Sequence, residues 1–526
     1  MRDCLKILTK PFTSGIILFL SIVFLLSFPD AFFYIKAYRA ITYSTYIILQ
    51  NIIISYVICI ILYFIPHRKS FSTLKYLILL ICLFLFIFDF ICIFQHESRF
   101  NADFLTMVLS TNKEEAKEFF LSFATVNNIL YDIGLALFSC FILWVNKQNV
   151  NLPNVFGYVG CFIVLLSGIL CYRNSSVWKD GVIGKIKAVY SYDLPDLHEY
   201  LSHPKLVYDR NERPANVVLI IGESLSKYHC SLYGYEKPTN PILETMRDSS
   251  LSVFTKVTSA AIHTASSFKY MMSTYSIEDD GKSNWYEHTT LPEIMDIAGY
   301  KTHWLSNQAQ GGNSIINRFV DLFDEYEYNG DIFAGDERKT FDGDLVEMAK
   351  PIIKNTKDSL NFYVFHLMGS HFKFDLRYPS EFSQFKIDDY MDKPENQRER
   401  LAAYDNSVLY NDYVVSQIMK LFNDKNSVVI YLSDHGLDVF YTDDDYAAHA
   451  KMNNPESIKY GVAIPFMIYT SPSFDEKYPM RSSRIRNSID NEFVSDDLIY
   501  SIMDVIGIDS INNYSIKDRS ILSEVE

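Results

Sequence analysis

Five long apolar runs crowd into the first third of the chain and constrain its fold more than any other feature. They lie near residues 14–35, 43–65, 74–95, 127–146 and 155–172. Each is close to the ~20 residues a helix needs to cross about 30 Å of hydrocarbon. Within hydrocarbon only helices and closed barrels satisfy their own backbone, so the pattern predicts five membrane helices. The first run is too long for a signal peptide, and no small-residue cleavage site follows it. Asp30 and Asp89 are expected near segment ends, where charge costs less. Arg2, Lys6 and Lys10, the 66–73 loop with His67, Arg68 and Lys69, and Lys147 in the 147–154 loop mark the cytoplasmic side, against a weaker pull from Lys36 and Arg39. An odd number of spans then puts residues 173–526 outside.

The remainder of the chain is of a different character. Residues 1–172 carry 12 Lys/Arg and 9 Asp/Glu, so of the 48 basic and 63 acidic side chains 36 and 54 fall in residues 173–526, a balance of −18. So acidic a surface argues against a nucleic-acid partner, which needs basic surface, and suits a domain lying outside a membrane. Seven of the eight cysteines (Cys4, Cys59, Cys82, Cys92, Cys140, Cys161, Cys171) sit in or beside the apolar runs, and only Cys230 belongs to the acidic part. That part has no disulfide framework and no cysteine metal motif; at its length it can bury enough core without one.

The loop 96–126 holds Thr111-Asn112-Lys113-Glu114-Glu115, an N-cap candidate followed by acidic and then apolar positions. It reads as a short amphipathic helix near 111–120 or as a plain connector. Residues 173–215, with Trp178 and Tyr190, read as a linker along the membrane surface. From 216 to 526 strand and helix signals alternate: strands at 217–221, 302–305, 361–366, 428–433 and 463–469, and helices at 239–248, 289–298, 341–354 and 402–422. The alternation predicts an α/β domain with a mostly parallel central sheet covered on both faces.

Two of those strands end in chemistry. Val217–Ile221 runs into Gly222-Glu223-Ser224, with Gly222 expected to make the sharp turn, and Val428–Leu432 runs into Ser433-Asp434-His435-Gly436. Ligands in open α/β sheets gather at the carboxyl ends of strands. A Glu, an Asp and a His brought there suit Zn²⁺ or Mn²⁺ better than Mg²⁺, since imidazole is a borderline ligand. Between them, Ser259 to Ser273 is small and hydroxyl-rich and opens a helix, whose N-terminus favours a phosphoryl group. Thr264 there can be nucleophile and metal ligand at once, and Ser259, Ser266 and Ser267 compete with it on composition alone. His371 follows a strand; His449 follows the acidic run Asp443–Asp445. Alone, each reads first as a satisfied or surface histidine.

Gly222-Glu223-Ser224, Thr264 in its small-residue helix, His366-Leu367-Met368-Gly369-Ser370-His371-Phe372 with Arg377-Tyr378-Pro379, and Ser433-Asp434-His435-Gly436 together resemble the phosphoethanolamine transferases. Leu232-Tyr233-Gly234-Tyr235, Leu291-Pro292-Glu293-Ile294, Ala298-Gly299-Tyr300 and Tyr404-Asp405-Asn406-Ser407 extend the match over nearly the whole chain. The resemblance implies a bacterial inner-membrane enzyme, with five transmembrane helices and an alkaline-phosphatase-like, sulfatase-type α/β domain in the periplasm. It implies one tightly bound Zn²⁺ on Glu223, Thr264, Asp434 and His435, with Thr264 carrying the phosphoethanolamine. His371 and His449 align with histidines near the transferred group, for proton transfer or contact with a second metal. Thr111, Glu115 and His366 match positions on the substrate side.

The lipid A-modifying members carry disulfides and cysteines flanking the nucleophile helix, where this chain has Ala260 and Tyr270. They carry a Lys in the loop where this chain reads Ser306-Asn307-Gln308, and Asp-His-Gly-Glu where it reads Asp434-His435-Gly436-Leu437. In these departures the chain resembles more closely the members that modify core sugars or other surface glycans. The expected function is transfer of phosphoethanolamine from phosphatidylethanolamine to a lipopolysaccharide core, lipid A or another envelope glycan. The alternative is a phosphoglycerol transferase acting on envelope glycans or lipoteichoic acid. A sulfatase activity lacks its Cys/Ser-x-Pro-x-Arg motif.

Overall fold

The computed structural model describes residues 2–38, 41–95, 126–173, 194–209, 212–247, 249–308, 314–329, 340–357, 359–442, 447–450 and 454–523. The chain divides into two compact units, the helices that precede residue 174 and the chain from residue 194 onward. Thr111 and Glu115, with the expected helix around them, and Trp178 and Tyr190 of the linker lie outside the described residues.

The first unit contains α1 (Ile16–Tyr38), α2 (Ile41–Tyr63), α3 (Arg68–Gln95), α4 (Val126–Val145) and α5 (Asn154–Arg173). Four of them are long and apolar enough to cross a membrane, and α4 adds a shorter apolar stretch, Leu130–Val145. Apolar side chains gain little by meeting one another in lipid, so polar groups help to fix helix pairs. Here Asn51 Nδ2 donates to Leu26 O at 2.8 Å and Ser44 Oγ to Ala31 O at 3.1 Å, pinning α2 to α1. Asp30 and Asp89 lie in the last turns of the apolar spans Ile16–Ile35 and Arg68–Ile93, and both are buried.

The second unit is built on a seven-stranded sheet. In chain order its strands are β1 (Asn216–Gly222), β2 (Leu251–Phe254), β3 (Lys301–Ser306), β4 (Glu325–Tyr328), β5 (Asn361–His366), β6 (Ser427–Ser433) and β7 (Phe466–Thr470). Their spatial order is β2-β7-β6-β1-β5-β3-β4. The five from β6 to β4 are parallel, and β7 runs antiparallel to both β6 and β2. β1 is central and buried along its whole length, as a run of β-branched residues covered on both faces requires. Val218 and Ile220 share a core with Tyr363, Phe365, Val429 and Tyr431 and with Val414, Ile418 and Met419 of the long helix α6 (Glu395–Leu421). Each fully buried aliphatic side chain of this kind contributes about 1.5–3 kcal/mol.

The differences from the sequence reading have local causes. The strand expected at 463–469 starts only at Phe466, because Pro465 has no N–H for the ladder. α6 begins at Glu395, seven residues early, because its polar opening turns show no apolar periodicity. The edge strands β2 and β4 are short and were not expected. Leu206–Tyr208, placed in the linker on sequence, is a strand paired antiparallel with Ile508–Ile511.

Candidate metal centre

Register brings the two acidic strand ends together. β1 and β6 pair in parallel with Gly222 opposite Ser433, so Glu223 and Asp434-His435 leave the sheet side by side. Asp434 N donates to Gly222 O at 3.0 Å, continuing the ladder one residue further. The turn after β1 is not made by Gly222. That residue stays in the strand, where a Cβ would come within 2.7 Å of the Tyr431 hydroxyl, and the left-handed residue is Ser224 at φ +57°.

Glu223, Asp434 and His435 are all fully buried, and one ligand atom from each lies within 4.8 Å of the others. His435 Nε2 is 3.4 Å from Glu223 Oε1 and 3.5 Å from Asp434 Oδ2. Asp434 Oδ1 accepts from Ser224 N at 3.0 Å and His435 N at 2.7 Å, while Oδ2 is buried without a hydrogen-bond donor. His435 Nδ1 lies 2.7 Å from Gly436 O; an N–H there donates to the carbonyl and leaves the Nε2 lone pair facing the carboxylates. Two carboxylates, an imidazole nitrogen of fixed tautomer and an orphaned buried oxygen fit a divalent cation such as zinc.

The electrostatics agree. Burial raises the Glu223 carboxyl, but the hydrogen bond and charge of His435 outweigh it and leave the group well below the usual carboxylate range. Burial and the neighbouring Glu223 push Asp434 up to about 7. Burial lowers His435, yet the charge of Asp434 and the bond to Glu223 carry it up to about 9. The carboxylates that favour a proton on His435 Nε2 favour a cation in the same place.

Thr264 joins this cluster as the first residue of the eight-residue helix Thr264–Met271. Its hydroxyl lies 3.2 and 3.3 Å from the two Glu223 oxygens and 3.4 Å from His435 Nε2. Ser259 and Ser267 turn elsewhere: Ser259 Oγ is 2.6 Å from Asp434 O, 2.7 Å from Ala261 O and 3.3 Å from Ser267 Oγ. Among the described residues, none of the hydrogen bonds to the three ligand side chains comes from Ser266. The His449 ring lies 4.7 Å from that of His435. Burial and the imidazole of His435 hold His449 well below the ordinary histidine value. Burial brings His371 down to about 4, so it too is neutral near pH 7.

His366, expected on the substrate side, is buried beside the Thr264 helix. It is 2% exposed, its ring packs 5.2 Å from Phe268 of the Thr264 helix and 5.3 Å from Trp304, and its Nδ1 lies 3.3 Å from Ser306 Oγ. An apolar strand ending in His gives no sign of which face the ring takes.

The parts that several residues play about the centre were not visible in the sequence. Gln308 Nε2 donates to Glu223 Oε2 at 3.3 Å and to Leu367 O at 2.9 Å. Buried Asp342 accepts from Met368 N at 2.8 Å, Gly369 N at 2.9 Å and Asn307 Nδ2 at 2.8 Å, and so shapes the loop that carries His371. Gly369, at φ +52°, presses on the Glu223 backbone: a Cβ would lie 2.7 Å from Glu223 N and O. His263 precedes the nucleophile candidate, and its ring lies 4.8 Å from that of His449, tilted by 46°. Only the adjacency of His263 to Thr264 was visible in one dimension.

Comparison with known proteins places this site in a family. The sulfatase family profile matches residues 215–508, more than half of the chain. The phosphoethanolamine transferase EptC of Escherichia coli O18:K1:H7 (strain RS218 / NMEC) is 25% identical over 453 residues, covering 78% of this chain and 76% of its own. The C-terminal periplasmic domain of EptC from Escherichia coli, solved in complex with Zn, superposes with a TM-score of 0.55 at 26% identity over 63% of this chain and 90% of that one. The integral membrane lipooligosaccharide phosphoethanolamine transferase A of Neisseria meningitidis shares the fold along 97% of this chain and 98% of its own, with a TM-score of 0.64 at 20% identity. The fold is thus shared with these proteins, and the chain belongs to the sulfatase family.

Proposed function

We propose that the protein is a zinc-dependent phosphoethanolamine transferase of the bacterial inner membrane. Its donor is phosphatidylethanolamine, and its acceptor is a lipid-linked glycan of the cell envelope, a lipopolysaccharide core or lipid A group. The observation that carries the reading is the Thr264 hydroxyl, 3.2–3.4 Å from Glu223 and His435 at the mouth of the candidate metal cluster. The relatives named above support the transferred group, and the five apolar helices support a site supplied from the bilayer, with the second unit on the periplasmic side.

Glu223, Asp434, His435 and Thr264 would hold the ion, and a Zn²⁺ there supplies Lewis-acid charge that favours the alkoxide form of Thr264 and offsets charge on phosphoryl oxygens. In the first displacement Thr264 Oγ bonds to phosphorus while the bond from phosphorus to the diacylglycerol oxygen breaks. The proton lost by Thr264 balances the one gained by the leaving diacylglycerol. In the second, an acceptor oxygen bonds to phosphorus, and Thr264 Oγ leaves and recovers a proton. His371 and His449, kept neutral by burial, are assigned these proton transfers.

The test is mass spectrometry of the full-length protein incubated in parallel with phosphatidylethanolamine and phosphatidylglycerol. A phosphoethanolamine adduct on the Thr264 peptide is expected from the first lipid, and none from the second. A phosphoglycerol adduct instead would replace the reading with its alternative.

A further inference from the structure

The turn that carries Glu223 is strained, and one side chain outside the ligand set holds it. Ser224 is buried at φ +57°, a left-handed conformation that is strained for a residue with a Cβ. Such a conformation persists only where its surroundings over-determine it. Ser224 N donates to Asp434 Oδ1 at 3.0 Å and Leu225 N to Ser433 Oγ at 2.9 Å. The carbonyl of Ser224 and the N–H of Ser226 both turn to one atom, the Tyr404 hydroxyl of α6. It accepts from Ser226 N at 2.8 Å and donates to Ser224 O at 2.9 Å, closing the turn as a staple.

That hydroxyl is itself rigidly placed. Tyr404 is fully buried, its ring edge-on to His229 at 4.9 Å and Phe374 at 4.8 Å. The next residue, Asp405, accepts from His229 Nδ1 at 2.6 Å, from the Tyr235 hydroxyl at 2.7 Å and from the Tyr390 hydroxyl. Burial pushes the Tyr404 phenol far above its ordinary value, so it keeps the proton its two-way role needs. The motifs Leu232–Tyr235 and Tyr404–Ser407, which the metal chemistry leaves unused, meet here.

We propose that Tyr404 is a positioning residue for the metal centre: its hydroxyl holds Ser224 in the left-handed conformation and so aims the Glu223 carboxylate at the ligand cluster. This rests on the metal reading above. Release of Ser224 to negative φ turns the peptide between Glu223 and Ser224 and takes the Ser224 N–H away from Asp434 Oδ1. Two ligands then loosen together. Tyr404 touches neither ion nor substrate; it acts through the backbone.

The test uses the full-length protein in detergent, with zinc affinity read by competition against a chelator and thermal unfolding read on the zinc-free form. Tyr404→Phe keeps the ring and deletes the staple, and zinc affinity is expected to fall about 10–100-fold, the usual effect of losing a group that orients a ligand. Tyr233→Phe is the control. Its phenol bridges the N–H and C=O of Phe466 at 2.9 and 3.0 Å in the same manner, but on β7 rather than on the metal turn. Both variants are expected to lower the melting temperature; only Tyr404→Phe is expected to lower zinc affinity. Glycine takes positive φ without penalty, so Tyr404→Phe is expected to cost less affinity in a Ser224→Gly background. That background also carries the measurement if Tyr404→Phe alone does not fold. Wild-type affinity in Tyr404→Phe, or an equal loss in Tyr233→Phe, overturns the proposal. A wild-type protein that binds no zinc overturns the metal reading itself, and the two failures are distinguishable.

Discussion

Replacing Thr264 by alanine separates catalysis from folding, and the structure gives both magnitudes. The hydroxyl meets its three partners at 3.2–3.4 Å, long for hydrogen bonds of this type. Glu223 is not orphaned by its loss, since Ser224 Oγ at 2.7 Å and Gln308 Nε2 at 3.3 Å remain. Nor is a helix cap lost, because the capping position belongs to His263. The cost in stability is therefore about 1 kcal/mol, the net worth of one ordinary hydrogen bond. Transfer should fall far more, by at least about 10³-fold, because no other group takes the place of a missing nucleophile. The proposed ligand set keeps Glu223, Asp434 and His435, so zinc affinity is expected to drop without vanishing. Thr264→Ser keeps a hydroxyl and should retain partial activity. The assay is transfer to envelope glycolipid followed by mass spectrometry, beside thermal unfolding and peptide mapping of the adduct. Thr264→Ala at the wild-type rate, or an adduct on Ser259 or Ser266, would refute the assignment.

Gly369→Ala is expected to be severe, because its Cβ meets the Glu223 backbone at 2.7 Å and its φ is +52°; a loss of at least about 1–3 kcal/mol should appear in thermal unfolding, and wild-type stability would show that the contact is not tight. Asp412, which accepts from Ile242 N and Leu243 N at 2.9 and 3.0 Å, is raised by burial to about 7. An acid raised in the folded state stabilises it below the unfolded value near 3.9 and loses that contribution as pH rises toward 7; Asp412→Asn should flatten stability between about pH 4 and 7, and an unchanged slope would assign it elsewhere. Reporter fusions at the C-terminus and in the 66–73 loop of the full chain should report opposite sides of the membrane; signals on one side would remove a span.

How much of this protein is written in one dimension follows from the range of the forces involved. The apolar runs around α1 to α5 are legible because span length and backbone satisfaction are local requirements, met within each segment. β1 and β6 are legible for a similar reason: unbroken β-branched runs belong to buried parallel strands, and the residues after them must emerge at one edge of the sheet. That edge is enough to single out Glu223, Asp434 and His435. What one dimension lacks is pairing. That Gly222 stands opposite Ser433 and not one residue away is set by packing among strands more than two hundred positions apart, and it decides whether the ligand atoms converge. The choice of Thr264 over Ser259 and Ser267 is of the same kind. All are hydroxyls in one stretch, and only the folded chain turns one toward the carboxylates and the others toward backbone and each other. His366 is similar: its motif did not show that its ring would pack against Phe268 and Trp304. Gln308, Asp342 and Tyr404 were beyond reach because each acts on a segment remote in sequence. Residue types and strand ends are local properties and were determined by the sequence alone; register, rotamer and long-range hydrogen bonds arise from the collective packing of the sheet and its helices, and only the tertiary structure decided them.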